Sequence, residues 1–310
     1  VTNRPTAERA ILVVGSVAYD TVETQRERRE RQLGGSASYF SLAASHFAPV
    51  RAVGVVGDDF REEDLELLRR RGVDTDGIAR VPGSTFHWSG RYHPDLIERD
   101  TLATELGVFA DFRPELPTGW ETTPYLFLAN IHPALQQHVL EEMTAPRLVV
   151  LDTMNLWIKT TRPELEAVLQ HVDVLLLNDS EARLLSGERS LRRAAGVIRE
   201  MGPRRVVIKK GEHGALLFGR DGVLAVPALL LPEVVDPTGA GDSFAGGFVG
   251  ELAAAGVTAD DSDAPFRRAM LSGTAVASFC PEGFSVEGLL RTDRQGLARR
   301  RDELLAMMVP

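Results

Sequence analysis

Short, wholly apolar runs recur along this chain: Ile11-Leu12-Val13-Val14-Gly15, Ala52-Val53-Gly54-Val55-Val56, Leu126-Phe127-Leu128, Leu148-Val149-Val150-Leu151, Val172-Asp173-Val174-Leu175-Leu176-Leu177 and Val206-Val207-Ile208. Runs of this length without alternation are what strands covered on both faces require. Amphipathic segments lie between them. Phe60 to Arg71 turns Leu65, Leu67 and Leu68 inward and charges outward, and Leu135 to Met143 is a second such segment. Buried strands alternating with helices predict βαβ units, and so an α/β fold with a doubly wound, mostly parallel sheet flanked by helices. The rhythm changes near the end, where Gly239 to Ala255, Ala264 to Phe279 and Arg294 to Met308 read as mostly helical.

Two segments break the alternation. Thr21 to Leu33 carries the charge run Glu23-Thr24-Gln25-Arg26-Glu27-Arg28-Arg29-Glu30-Arg31, which has no apolar face and by pattern alone reads as a solvated loop. In Ser84 to Gly107, Phe86, Trp88, Gly90 and Tyr92 mark a two-residue alternation, the period of a strand. There is no internal repeat and no low-complexity segment.

Composition narrows the function classes. The 310 residues suffice for one large α/β domain with a small appendage. With 35 basic and 44 acidic side chains the formal net charge is −9, which argues against a nucleic-acid-coating surface. A polyanion such as ATP would have to be met by a local site and Mg²⁺. Cys280 is the sole cysteine, so no intrachain disulfide forms and a reducing compartment is expected. No apolar run reaches the ~18 residues of a membrane span. The expectation is a cytoplasmic protein with neither membrane nor nucleic acid as partner.

The most informative stretch is Val235-Asp236-Pro237-Thr238-Gly239-Ala240-Gly241-Asp242-Ser243-Phe244-Ala245-Gly246-Gly247-Phe248. Small residues at 239 to 241 allow three successive N–H groups to turn inward at a helix start. Free donors and the positive end of the helix dipole there make an anion site. Asp242 falls in the first turn, where its carboxylate shares the anion's space. Such a carboxylate suits a general base acting on a hydroxyl beside a transferring phosphoryl group. Read without that context, the stretch is a glycine-rich helix cap.

This stretch resembles the second signature of the ribokinase family, the PfkB-type carbohydrate kinases, and the similarity runs from about Ile11 to Phe284. The resemblance implies transfer of the γ-phosphate of ATP to a hydroxyl of a sugar or nucleoside. It also implies a single domain over 1–310 whose small β lid is built from two insertions, about 17–33 and 84–107. That lid would exclude water from the substrate and could carry a homodimer contact. Asp242 would be the base, and the backbone of Gly239, Ala240 and Gly241 would hold the phosphoryl.

Asn178-Asp179-Ser180-Glu181 follows an apolar strand and opens a helix, close to a capping box. By resemblance Asn178 and Glu181 organise Mg²⁺ through water, the hard oxygen environment that Mg²⁺ prefers. Lys209-Lys210-Gly211-Glu212-His213-Gly214 is a tight turn after a strand. By resemblance it is the nucleotide-contacting loop, with Lys209, Gly211 and Gly214 near ATP. The small residues of Ser272 to Phe284 let a flat ring approach or let helices pack tightly; the resemblance places Ser272 near the nucleotide. Asp236, Thr238 and Ser285 match a monovalent-cation site, so K⁺ joins ATP and Mg²⁺ among the implied cofactors.

For the acceptor, Gly15-Ser16-Val17-Ala18-Tyr19-Asp20 ends the first strand with an aspartate, where ligands of α/β sheets bind, and by resemblance Asp20 grips sugar hydroxyls. Gly34-Gly35-Ser36-Ala37-Ser38-Tyr39 resembles the first family signature, in which Gly34 and Gly35 let substrate lie against backbone. Tyr39 departs from the pattern, standing where relatives usually have asparagine, so the substrate is either gripped differently or presents something flatter. Asn130 and Asp152 end two further strands and either line the pocket or cap helices; Trp88 would face the substrate from the lid. The reading is an ATP-dependent sugar kinase. A nucleoside kinase of the same fold is the alternative, with Tyr39 and the lid aromatics as stacking surfaces, and a catalytically silent nucleotide sensor is a third.

Overall fold

In the computed structural model, which describes residues 7–96 and 98–308, the apolar runs are strands of one nine-stranded sheet. In chain order its strands and those of a second sheet are β1 (Ile11–Val14), β2 (Ala18–Glu23), β3 (Arg28–Gly34), β4 (Val50–Val56), β5 (Val73–Arg80), β6 (His87–Tyr92), β7 (Arg99–Glu105), β8 (Tyr125–Leu128), β9 (Leu148–Asp152), β10 (Val174–Asn178), β11 (Arg205–Lys209), β12 (Ala215–Gly219) and β13 (Gly222–Val226). The large sheet runs β13-β12-β11-β10-β9-β8-β1-β4-β5. From β11 to β5 all pairings are parallel, and the β12–β13 hairpin is added antiparallel at one edge.

The helices are α1 (Ser36–Ala44), α2 (Glu62–Arg70), α3 (Pro133–Glu142), α4 (Asn155–Thr160), α5 (Arg162–Leu169), α6 (Asp179–Ser186), α7 (Leu191–Glu200), α8 (Ala240–Ala255), α9 (Asp263–Ala277), α10 (Glu287–Leu290) and α11 (Arg294–Met308). Strand alternation sends Ile11 and Val13 into a core with α1, α2, α8 and α9, and Leu12 and Val14 into a second core with α3, α5, α6 and α7. Both faces of the sheet are therefore covered, the physical reason its strands lack polar alternation. In α2, Leu65 and Leu68 are buried while Leu67 is half-exposed. Among the described residues no helix is long and apolar enough to cross a membrane.

The second sheet is four-stranded, in the order β3-β2-β6-β7, with β2 and β6 parallel. The charge run read as a solvated loop is largely strand. β2 and β3 form a hairpin about the turn at Thr24–Glu27, and β3 is an edge strand studded with Arg28, Arg29, Glu30 and Arg31. Charges with no apolar face suit an edge strand, because they discourage pairing with another chain. Asp20 stands opposite Trp88 in register, and Val22 opposite Gly90. Tyr92 ties this sheet to the main body: its hydroxyl shares a 3.0 Å hydrogen bond with that of Thr238.

Candidate active site

Parallel strands deliver their last residues to one edge of the sheet, and that edge carries the polar side chains of the site. Asp152 ends β9, Asn178 ends β10 and Lys209 ends β11, while Asn130 follows β8. The start of α8 meets them there. A cavity of about 420 Å³ is lined by Asn130, Asp152, Asn178, Glu181, Lys209, Gly241 and Asp242, together with Arg99, Thr101, Thr153, Met154 and Asn155. Seven residues singled out from the sequence thus share one space.

Gly239 caps α8 with φ +79°, a left-handed conformation that favours glycine. The turn differs in one detail from three inward N–H groups: the Ala240 N–H donates to the Pro237 carbonyl at 3.2 Å. Among the described residues the N–H groups of Gly239 and Gly241 have no protein partner, so these remain to meet an anion. Burial foremost, then the charge of Asp152, pushes the Asp242 carboxyl up to about 7 against the pull of Lys209 and Arg99. A carboxylate with its pKa near neutrality is placed for proton abstraction.

Lys209 donates from Nζ to Asp152 Oδ2 at 2.5 Å. Burial works against its charge, but Asp152, Glu181 and Asp242 outweigh it and hold the ammonium above the ordinary lysine range. A side chain on Gly241 would sit against this ammonium, with Cβ 3.3 Å from Nζ. Lys209, the helix start and Asp242 therefore face one point.

Asn178 and Glu181 form a complete capping box: the Glu181 N–H donates to Asn178 Oδ1 at 2.8 Å, and the Asn178 N–H donates to Glu181 Oε2 at 2.7 Å. Burial, then Asp152, raises the Glu181 carboxyl to about 7. Three carboxylates beside one ammonium make a cavity short of positive charge. Their hard oxygens fit Mg²⁺, yet among the described residues no three acidic, histidine or cysteine side chains are close enough to hold a metal by themselves. That arrangement suits an ion bound mainly by phosphate oxygens and water, with Glu181 and Asn178 beyond them.

Other expectations meet a different geometry. Ser272 is fully buried between helices and donates to Glu251 at 2.9 Å, so it does not reach the cavity. The small residues around it serve the α8–α9 contact: a Cβ on Gly247 would meet the Ser272 carbonyl at 2.9 Å, and one on Gly273 the Phe244 carbonyl at 2.9 Å. Gly211 and Gly214 both have positive φ and shape the β11–β12 turn, outside the cavity lining. The side chains matched to a monovalent cation are all engaged. Asp236 accepts from the N–H groups of Thr238 and Ser285 at 2.9 and 3.2 Å, Thr238 pairs with Tyr92, and the Ser285 hydroxyl donates to the Leu33 carbonyl.

On the acceptor side, Asp20 is buried with its carboxylate lying against Gly34, where a Cβ would collide with it. Burial, then Asp236 and Asp242, pushes it up to about 7. Tyr39 is not open for stacking on a ligand: it is 1% exposed, with its ring packed beneath Gly239. Trp88 lies over Gly90 and donates weakly to Thr101 at 3.4 Å. Asn130 accepts from Trp157 at 2.8 Å and keeps its amide N–H groups for the cavity.

Arg99 was not singled out from the sequence, where it is one arginine in a polar segment. From β7 it reaches the cavity, passes over the Trp88 ring at 5.4 Å and acts electrostatically on Asp20, Glu181, Asp236 and Asp242. Only the two-sheet arrangement exposes that role.

Comparison with known proteins identifies the family and fold. The family model described as pfkB family carbohydrate kinase matches residues 134–286. A cytidine kinase from Thermococcus kodakarensis is 32% identical over 247 residues, covering 77% of this chain and 87% of that protein. A 2-dehydro-3-deoxygluconokinase from Thermoproteus tenax is 28% identical, with 71% and 73% covered. Among solved structures, the nucleoside kinase of Methanocaldococcus jannaschii, described as an archaeal member of the ribokinase family, superposes with a TM-score of 0.76 at 18% identity over 95% of this chain and 98% of that one.

Proposed function

This chain belongs to the pfkB, or ribokinase, family and is an ATP-dependent phosphotransferase with a hydroxyl acceptor; from that premise we propose how its own residues divide the work and what it phosphorylates. Asp242 takes the proton from the acceptor hydroxyl as the phosphoryl group arrives. The observation that carries this is the convergence of Asp242, the free Gly241 N–H and the Lys209 ammonium on one cavity. Gly239 and Gly241 hold the phosphoryl oxygens by backbone donors, and Lys209 offsets their charge. Mg²⁺, when bound, neutralises the phosphates, with Glu181 and Asn178 ordering its water shell. Arg99, which lines the same cavity from β7, adds to the positive surround. The second sheet acts as a lid within a single domain, shielding the reacting group from water.

The acceptor in this reading is a sugar, held by Asp20 against Gly34 and Gly35. A nucleoside is the second reading, favoured by the 32% identity to a cytidine kinase. A monovalent cation beside Asp236 remains a separate proposal, since every side chain there is already bonded; comparing rates in K⁺ and in tetramethylammonium tests it. The acceptor class is tested by ADP release from Mg·ATP with ribose, 2-dehydro-3-deoxygluconate and cytidine. A kcat/KM for ribose or the sugar acid well above that for cytidine supports the first reading, and the reverse supports the second.

A further inference from the structure

Gln136 is a long amide with only 1% of its surface exposed, buried with Pro133 and Val139 on the inner face of α3. The core on this side of the sheet holds Leu128, Val139 and Leu151, so packing alone asks for no amide there. A polar side chain is enclosed in this way where its donors are met. Its Nε2 donates to two main-chain carbonyls, that of Ala129 at 2.9 Å and that of Asp152 at 3.3 Å. Both neighbours are acceptors, which fixes the orientation of the amide. Its Oε1 is enclosed with no protein partner, so the donor half alone is used. The two carbonyls lie where β8 and β9 cease to pair, their last partners in register being Leu128 and Leu151. Past that point Gln136 supplies the bridge that the ladder no longer makes.

The two anchors differ in kind. Ala129 is held to β1, its N–H donating to the Val14 carbonyl at 3.0 Å. Asp152 carries the partner charge of Lys209, with Oδ2 accepting from Nζ at 2.5 Å and Oδ1 accepting from the Thr153 N–H at 2.9 Å. Three donors therefore fix Asp152, one on each carboxylate oxygen and Gln136 on the backbone. Lys209 pulls from the β11 side, and Gln136 ties the residue back to the β8 side. Asp152 and Lys209 both line the cavity, together with Asp242. A displacement of about 1 Å at such a point can lower a rate by as much as about a hundredfold.

We propose that Gln136 is a positioning residue for phosphoryl transfer: by tying the Asp152 main chain to Ala129, it holds in place the carboxylate on which the Lys209 ammonium is seated. The proposal rests on the reading of Lys209 as the cation that offsets the phosphoryl charge. Gln136→Met keeps the length of the side chain and deletes both donated bonds. Gln136→Glu, kept protonated by burial, retains one donor.

The experiment measures kcat and the KM for ATP in wild type, Gln136→Met, Lys209→Met and the double variant, well below the Tm of each. The acceptor is whichever of ribose, 2-dehydro-3-deoxygluconate and cytidine the wild type turns over best. The expected result for Gln136→Met is a loss of roughly tenfold in kcat with the KM for ATP within about threefold of wild type. In the Lys209→Met background the same change should lower kcat by less than about twofold, because the group being positioned is gone. Gln136→Glu should fall between wild type and Gln136→Met. A normal kcat in Gln136→Met with only a lowered Tm overturns the proposal, by confining Gln136 to stability. A full loss repeated in the Lys209→Met background also overturns it, by showing that Gln136 does not act through Lys209. If Gln136→Met does not fold, Gln136→Glu is taken through the same cycle: a loss that vanishes without Lys209 supports the proposal, and no loss or a persistent one overturns it. If wild type turns over none of these acceptors, or Lys209→Met keeps full kcat, the underlying reading fails instead. Crystal structures of ligand-free wild type and the folded Gln136 variant then decide: an Asp152 parted from Lys209 supports the positioning role, and an unmoved pair overturns it.

Discussion

Lys209, at the end of β11, reaches across the end of β10 to Asp152 at the end of β9, with Nζ 2.5 Å from Oδ2. The pair joins two strands that are not neighbours and places one ammonium among the carboxylates of the cavity. It governs how easily those carboxylates ionise, since Lys209 pulls both Asp242 and Glu181 down from where burial and Asp152 would put them.

Replacing Lys209 by methionine should therefore shift the pH dependence of the reaction. The Asp242 carboxyl already stands at about 7, and losing the nearby cation raises it further. A base must be deprotonated to act, so the acid limb of kcat/KM should move to higher pH, with activity falling more below neutrality than above it. A pH–rate profile of Lys209→Met beside wild type checks this. A uniform loss at every pH would mean that Lys209 only binds phosphate.

Arg99, at the start of β7, lines the same cavity as Gly241 and Asp242. Its replacement by glutamine should lower kcat by about 10²–10³, the typical effect of removing one donor from developing charge. Binding of ATP alone should change little. Steady-state rates with saturating acceptor, set beside an ATP titration in its absence, separate the two effects. A raised acceptor KM at unchanged kcat would instead make Arg99 a substrate-gripping residue.

Glu181 has one oxygen engaged in the capping box and the other available to the cavity side. Glutamine preserves the cap but loses the charge, so Glu181→Gln should raise the Mg²⁺ concentration needed for half-maximal rate while leaving Tm nearly unchanged. A Mg²⁺ titration of activity with a parallel melting curve tests this. An unaltered Mg²⁺ requirement would confine Glu181 to capping.

Fold class, and the residues that come to share the cavity, were largely legible in the chain. Buried parallel strands demand unbroken apolar runs, and Ile11–Val14 or Leu148–Leu151 have no other ready explanation. Gly239 to Asp242 combine small residues with a first-turn acid, a pattern with few uses. β5 is harder to see, because only Val73 and Thr75 are buried before the strand turns polar. The β2–β3 hairpin was masked by its charges, which obey the logic of an edge and not that of a core. Arg99 and Tyr39 show the deeper limit. What Arg99 does depends on β7 hanging over the ends of strands distant in sequence. What Tyr39 does depends on α1 packing against α8, which makes a ring offered as a stacking surface under the nucleoside alternative into a support for Gly239. Ser272 fails for a related reason: small residues at helical spacing suit a flat ligand and a close helix equally well, and here α8 takes the space.

The central claim is that Asp242 is the base, and Asp242→Asn tests it most directly. With ATP, Mg²⁺ and a saturating acceptor, turnover should fall by roughly 10²–10⁴ while ATP still binds with near-normal affinity. Turnover within a few-fold of wild type in the asparagine variant would contradict the account.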